Sequence, residues 1–482
     1  MSIGLAAPCD ETAALPADGV AADPGAGTLV ATVLASSLAM TVGSIVTVGL
    51  PSMQREFGAD AVGLQWIINS FLLPVSALVL LGGALGDKLG RKRLFIVRLV
   101  MFTLATLGCA LAPTLPALLA ARFVQGLGAA LIAPNSLALL ADAYSGSRRG
   151  RAVGTWAAAS TMAGAAAPLL GGLVVDRFDW RWAFAIVIPP AAAAVIMSVR
   201  SIPGAQRPAE RAPLDLTGGG LTIVALGSLV VALTYLPVGG VSSPTVAGAL
   251  AVGIAALVAF LAVERRKGTD AIMPLDIYRS RSFSAVSLLT LLLYFGLGGF
   301  MVLLPLLFIS GLGYSATEAG FALPPLPLVM GALSRPLAGF ATRWGIRRTL
   351  SAGPLAVAAG FALMAVLPSH RVDYWSEILP GLVTMSFGMA LTVAPLTTAV
   401  MNAVENRFVG VASGVNNAIS RAAGLIATSL LGLVLPAGGQ GGAALLGGLT
   451  RAAWVGCALA IAASITAFAI IREIEVDGDT SG

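Results

Sequence analysis

Gly83–Phe95 reads GALGDKLGRKRLF, a short glycine-rich basic stretch set between two long apolar runs. Its glycines at 83, 86 and 90 permit a tight turn and close helix approach. One acid, Asp87, closes the run before it, and Arg91, Lys92 and Arg93 follow within a turn. Spacing alone leaves two readings open. The stretch is a solvated loop that only sets topology, or its mixed charges form ion pairs that differ between conformations. The flanking runs, 61–85 and 94–113, are each near the ~20 residues that a helix needs to cross about 30 Å of hydrocarbon.

The alternation of apolar run and basic punctuation continues along the chain. Of 482 residues, 57% are hydrophobic and 11% charged, with mean hydropathy +0.90. A soluble domain carries about 25% charged residues, so this chain lacks the polar surface to coat a water-soluble body. Apolar runs fall at 29–51, 61–85, 94–113, 115–140, 151–174, 182–200, 216–236, 244–263, 284–309, 317–340, 349–368, 376–401, 409–435 and 450–471, which predicts fourteen spans. The alternating segments of about ten residues that mark a membrane β-barrel are not seen. The expected fold class is an all-α integral membrane protein.

The net charge of +6 would suggest nucleic acid in a soluble protein. Here the basic residues sit in loops, and they set topology. Lys88 and Arg91–Arg93, Arg148 and Arg149, Arg207 and Arg211, Arg265–Lys267, Arg347 and Arg348, and Arg407 all follow even-numbered runs. Loops after odd-numbered runs hold only Arg55, Arg177, Arg181, Arg371 and Arg451. Positive charge therefore predicts that the even loops and both termini are cytoplasmic. Residues 1–28 carry acids but no Lys or Arg, so they read as a disordered tail rather than a secretory signal. Cys9, Cys109 and Cys457 have no metal spacing. Neither a nucleotide-binding loop nor a Ser/His/Asp set is apparent, so no enzyme, metal or cofactor is expected.

The chain echoes itself. Gly150–Pro168 aligns with Gly410–Thr428 at Gly150/Gly410, Gly154/Gly414, Ser160/Ser420 and Gly164/Gly424. A weaker echo sets GALGDKLGRKR against GFATRWGIRR, with Thr342 about where Asp87 would fall. Both echoes predict two six-helix halves with two inserted helices, an architecture that cradles a midplane site in transporters. The expected boundaries are a tail 1–28, a first half 29–200, a linker with the inserted helices 201–283, a second half 284–471 and a tail 472–482.

Several motifs carry a family resemblance. GALGDKLGRK looks like the signature loop of the major facilitator superfamily. ARFVQGLGAA (Arg122, Gln125, Gly126, Gly128) resembles its fourth-helix motif, and AAPLLGGL (Pro168, Gly171, Gly172) the fifth-helix motif of its exporters. LQWIINSF (64–71), WRWAF (180–184) and GYSATEAG (313–320) resemble the drug:proton antiporter branch with fourteen helices. The resemblance covers roughly residues 29–472. It implies a conformational lock of Gly83, Asp87, Gly90, Arg91, Lys92 and Asp142 that favours the outward-open state, and proton coupling through Arg122 with Gln125 and Gly126. Arg421, similarly deep in the thirteenth run, falls under the same suspicion, since buried Arg is costly and normally functional. Arg98 and Arg335, nearer the cytoplasmic face, are expected to snorkel. Relatives often carry an acid in the first helix, where this chain has Val42, and His370 falls in an outer loop. Proton antiport is therefore implied by family but lacks its usual carrier.

For a substrate cavity the candidates are Gln65, Trp66, Asn69, Asn135, Trp156, Phe295, Met385, Asn416 and Asn417. Apolar and aromatic walls with few polar groups suit lipophilic ligands. The expected function is secondary-active efflux of small hydrophobic compounds (drugs, antibiotics or metabolites) by proton antiport, as a monomer in the bacterial inner membrane, with lipid around it and no nucleic-acid partner. The alternatives are a uniporter or importer of an organic solute, and a non-transporting membrane sensor.

Overall fold

The computed structural model describes residues 25–79, 90–203, 215–268, 271–367, 372–435 and 441–471. Gly83, Asp87, His370 and the C-terminal tail lie outside the described residues, as do the side chains of Arg335 and Thr342. Every regular element among the described residues is helical. In the first half these are α1 (Gly25–Phe57), α2 (Ala61–Leu78), α3 (Arg91–Ala110), α4 (Leu115–Ala143), α5 (Gly146–Arg177) and α6 (Trp180–Ser201). The inserted pair is α7 (Leu216–Gly239) and α8 (Pro244–Lys267). The second half holds α9 (Arg281–Gly311), a short helix Ala316–Ala322, α10 (Pro325–Trp344), α11 (Ile346–Ala365), α12 (Tyr374–Asn402), α13 (Val409–Ser429) and α14 (Gly442–Ile470).

Local chemistry starts these helices where the sequence changes from loop to apolar run. The carboxylate of Asp60 and the hydroxyls of Thr114 and Ser280 accept the first free N–H groups of α2, α4 and α9. Each such cap stabilises its helix by about 1 kcal/mol. Ser315 and Glu318 form a reciprocal capping box on the short helix.

Twelve helices among the described residues are long and apolar enough to cross a membrane, where fourteen were expected. The other two, α10 and α13, have 20 and 21 residues but fall short on composition. The physical reason lies in their surroundings. Both pack against helices of the opposite half, and α13 carries Asn416, Asn417, Ser420 and Arg421. A helix that faces protein need not be uniformly apolar. Several helices also outrun their expected ends: α1 reaches Phe57, α5 Arg177 and α8 Lys267.

The two halves repeat one packing scheme. In the first, α1 packs on α5 and α6, α3 on α4 and α6, and α2 on α4. In the second, α9 packs on α13 and α14, α11 on α12 and α14, and α10 on α12. Small residues let the equivalent pairs approach closely. A Cβ on Gly128 of α4 would stand 2.8 Å from Phe102 N of α3, and one on Gly388 of α12 would stand 2.6 Å from Val357 N of α11. The halves meet chiefly along two crossings, α5 with α10 and its preceding short helix, and α2 with α13, and α1 also touches α9 and the short helix. The inserted α7–α8 hairpin leans through α7 on both helices of the second crossing. One end of the bundle carries Arg91, Asp142, Lys267 and Arg347, and is the basic end. The other, with Asp60, Asp176 and Ser315, is the far end.

Candidate functional site

Between the halves lies a cavity of about 560 Å³. Met40 and Thr47 of α1, Trp156, Ser160 and Pro168 of α5, and Met301 of α9 are among its walls. None of its lining side chains is charged. The Trp156 indole donates to Ser36 Oγ at 2.9 Å, and Ser36 Oγ donates to Ser136 Oγ at 2.9 Å, so the ring is held in place by α1 and α4. Ser160 Oγ is buried without a hydrogen-bond partner. The walls thus combine a fixed aromatic plane, apolar surface and one unsatisfied hydroxyl, which suits an uncharged lipophilic guest with a small polar group.

The far end is closed over this cavity. On α5, a Cβ at Gly172 would lie 2.2 Å from Ala316 O, and one at Gly320 would lie 2.5 Å from Pro168 O. The PLLGG stretch and the GYSATEAG stretch, singled out separately in the sequence, are therefore the two faces of one backbone-to-backbone seal. Asp176 caps it from across the boundary: its carboxylate accepts Ala316 N at 3.0 Å and Thr317 N at 2.7 Å. Sequence reasoning passed over Asp176 because the run around it was ended at 174. Gly171 does a different job, meeting Ile45 of α1. Towards the basic end, Gly150 and Gly154 of α5, Gly331 of α10 and Gly410 and Gly414 of α13 would project a Cβ into open space. The glycine contacts that join the halves at α5 thus lie at the far end, and a Cβ on these other glycines would meet no other helix within 4 Å.

At the second crossing, Asn69 Nδ2 donates to Ser429 Oγ at 3.0 Å and Thr428 Oγ1 donates to Asn69 Oδ1 at 2.6 Å. Asn69 is therefore a bridge between halves rather than a cavity wall. Gln65, a turn away, is buried with both amide atoms unpartnered, and so is Asn135 Nδ2. Of the remaining cavity candidates only Trp156 lines the described cavity. Trp66 packs with Leu73 and Val230. Met385 is fully buried against Gly360 of α11, because that glycine leaves room for its stem. Asn416 accepts from Thr290, Asn417 accepts from Arg421, and Phe295 is half-buried outside the lining.

Arg122 is 1% exposed and has no carboxylate among its described partners. Its Nε donates to Ile67 O at 3.2 Å and its NH1 to Gln125 Oε1 at 2.8 Å, while Gln125 Nε2 donates to Thr106. The Phe71 ring lies 4.4 Å from the guanidinium, a cation–π contact. Gly126 completes the motif: a Cβ there would strike Phe71 O at 2.4 Å. Arg421 bonds only within α13 among the described contacts and does not join this network. Arg98 donates to Leu127 O at 2.7 Å, so it ties α3 to α4 instead of reaching for the interface. Val42 is fully buried in the apolar core.

The lock residues are partly brought together. Arg91 NH1 meets Asp142 Oδ1 at 2.6 Å, with both side chains about a quarter exposed. The pair joins α3 to α4 within the first half, and it is made with the far end closed, so it does not itself require the outward-open state. Gly90, with φ +86°, starts α3, and Gly345, with φ +94°, starts α11. Lys92 Nζ donates to Val199 O and Ile202 O at the end of α6, and Arg347 Nε donates to Phe468 O at the end of α14. Cations at helix C-termini are favourable there. The echo between the two turns is therefore real down to the hydrogen bonds. It stops at the ion pair, since Ile346 and Asn402 stand in register with Arg91 and Asp142.

WRWAF also gains a role. Arg181 pairs with Glu56 at 2.6 Å and stacks on Trp180, whose Nε1 donates to Glu56 as well. This clamp ties α6 to α1 at the far end.

The sequence model of the Major Facilitator Superfamily matches residues 32–428. The chain belongs to the major facilitator superfamily. Among curated members of the superfamily it is 32% identical to the multidrug resistance protein Stp of Mycobacterium tuberculosis, over 85% of this chain and 76% of that protein. It is 32% identical to a methylenomycin A resistance protein of Bacillus subtilis (81% and 84% covered) and 32% identical to a cephamycin export protein of Amycolatopsis lactamdurans (86% and 86%). Solved transporter structures share the fold. A peptide transporter superposes with TM-score 0.68 at 17% identity, over 91% of this chain and 94% of the other. The nucleoside transporter NupG superposes at 0.66 with 12% identity, over 92% and 100%. The protein is thus a multi-pass membrane transporter rather than an enzyme.

Proposed function

We propose that the protein exports small, uncharged hydrophobic compounds by alternating access, with protons as the coupling ion. The observation that carries this reading is the charge-free cavity between the halves, sealed at the far end by the contact of α5 with the short helix. Relatives named for antibiotic resistance and antibiotic export support the direction. The distribution of Lys and Arg supports a cytoplasmic basic end with both termini on that side. On this reading the cavity loads from the cytoplasm, and the far end opens to release. The chain works as a monomer in a bacterial inner membrane.

A second reading is favoured by one observation. Val42 is buried in the apolar core, and no acid lines the described cavity. Export without proton coupling, as uniport, fits that chemistry. Proteoliposomes with an imposed pH gradient separate the two. Antiport predicts that a neutral lipophilic antibiotic accumulates only with the gradient, and that Asp87→Asn and Arg122→Ala each slow it. Equal accumulation with and without the gradient overturns proton coupling. Failure of wild type to move any compound of a neutral lipophilic panel overturns export.

A further inference from the structure

At the foot of the inserted hairpin, two acids just outside the expected apolar runs are buried together. Asp215 caps α7 and is 2% exposed, and Glu264 in the last turn of α8 is fully buried. Two of their four carboxylate oxygens are satisfied. Asp215 Oδ1 accepts Gly218 N at 2.6 Å and the Lys267 ammonium, and Glu264 Oε2 accepts Met273 N at 2.6 Å. The two that remain, Asp215 Oδ2 and Glu264 Oε1, are buried without a partner. They stand 2.7 and 2.6 Å from the same point, the position that a Cβ on Gly218 would take. Two ionised carboxylates so placed would repel in a low-dielectric site, and each bare oxygen would cost a few kcal/mol. A single proton removes both faults, giving one oxygen a donor and the other an acceptor.

We propose that Asp215 and Glu264 form a binding site for one proton, shared between Asp215 Oδ2 and Glu264 Oε1 and held at neutral pH. Asp215 is the ionised member. Burial raises its carboxyl, but the Lys267 ammonium and the Gly218 N–H outweigh this and hold it below the usual carboxylate range. A metal ion does not fit: the ammonium already occupies the cluster, and no group of three or more His, Cys, Asp or Glu exists among the described residues. Of the other charges nearby, Arg265 and Arg266 are exposed, Asp276 pairs with Arg279 on the surface, and Arg421 of α13 bonds Asn417. Loss of the proton leaves two facing carboxylates at the junctions through which the hairpin joins both halves. Stabilisation is thus present at neutral and lower pH and is lost as the pH rises. Because α7 leans on α2 and α13, the proton state bears on the crossing that must part in transport. Only that last step rests on the alternating-access reading.

Infrared spectra of the full-length protein in lipid at neutral pH test the site. The expected result is a protonated-carboxyl band, shifted in D2O, that is lost in Glu264→Gln and in Asp215→Asn alike, because the two share one proton. Absence of the band in wild type, or its survival in either variant, overturns the proposal. Glu264→Gln mimics the protonated acid and keeps the acceptor for Met273, so it should fold. It supplies the second test, hydrogen exchange of residues 271–279 corrected for intrinsic rate. Wild type should lose about tenfold in protection as pH rises from about 6 to about 9, and Glu264→Gln should lose none. Equal loss in both overturns the site whatever the outcome of transport assays.

Discussion

The two crossings that join the halves occupy equivalent places in the repeat and are closed by different means. At α5 the seal is backbone against backbone, Gly172 on Ala316 O and Gly320 on Pro168 O, with Asp176 as a cap. At α2 and α13 it is side chain against side chain, Asn69 between Thr428 and Ser429, with α7 behind it. A hydrogen-bonded crossing can exchange partners with water at a net cost of about 1 kcal/mol per bond. A glycine seal has no such gradation, because packed backbones either fit or do not. The difference assigns them different work: the α5 side is an all-or-none gate, and the α2–α13 side is a yielding joint.

Gly172→Val should break the comparison most severely. Its side chain must displace Ala316 O from 2.2 Å, and overpacking of this kind costs about 1–3 kcal/mol or more. The far end should be held open and coupled transport lost, measured as leak of a small fluorescent solute through proteoliposomes. A tight, active variant would show that the seal is not backbone-limited.

Asn69→Ala removes two buried bonds and leaves the α5 seal intact. About 1–3 kcal/mol should be lost from the closed far end, so transport should persist with an altered rate and without leak. Asp176→Asn keeps an acceptor but loses charge, at about 1 kcal/mol. It should raise hydrogen exchange at Ala316 and Thr317 severalfold while leaving residues 428 and 429 unchanged. The smallest effect belongs to Asp142→Asn at the basic end. Partly exposed pairs contribute about 1 kcal/mol or less, a population change of about fivefold at most. Spin-label distances across the far end should move least in this variant.

The sequence displayed the fold well, because apolar runs of helix length and their basic punctuation leave few alternatives. The repeat was legible in Gly90/Gly345, where positive φ calls for glycine and such positions are hard to disguise, and in the matching pattern of Gly150/Gly410. The site was legible only in pieces. Pro168 and Gly172 announce close packing, but nothing local names their partner on the short helix, roughly 150 residues on. Asn69 looked like a cavity residue because a polar group in an apolar helix has the same signature whether it meets substrate or another helix. Asp176 and Glu264 fell just past the ends of the expected runs because helices outrun their apolar cores by a turn, and Asp215 fell just before one, at the cap of α7. α10 and α13 passed for ordinary spans, although packing against the opposite half relieves them of the need to be apolar throughout.

The most direct test of the gate is a pair of spin-label distances on one background freed of native cysteines. Phe178→Cys with Phe321→Cys reports the far end, and Arg149→Cys with Arg343→Cys reports the basic end. With a transported compound present, a population with a longer far-end distance and a shorter basic-end distance should appear, the two changing in step. Far-end and basic-end distances that stay fixed under every condition, or that lengthen together, would contradict alternating access through the α5 seal.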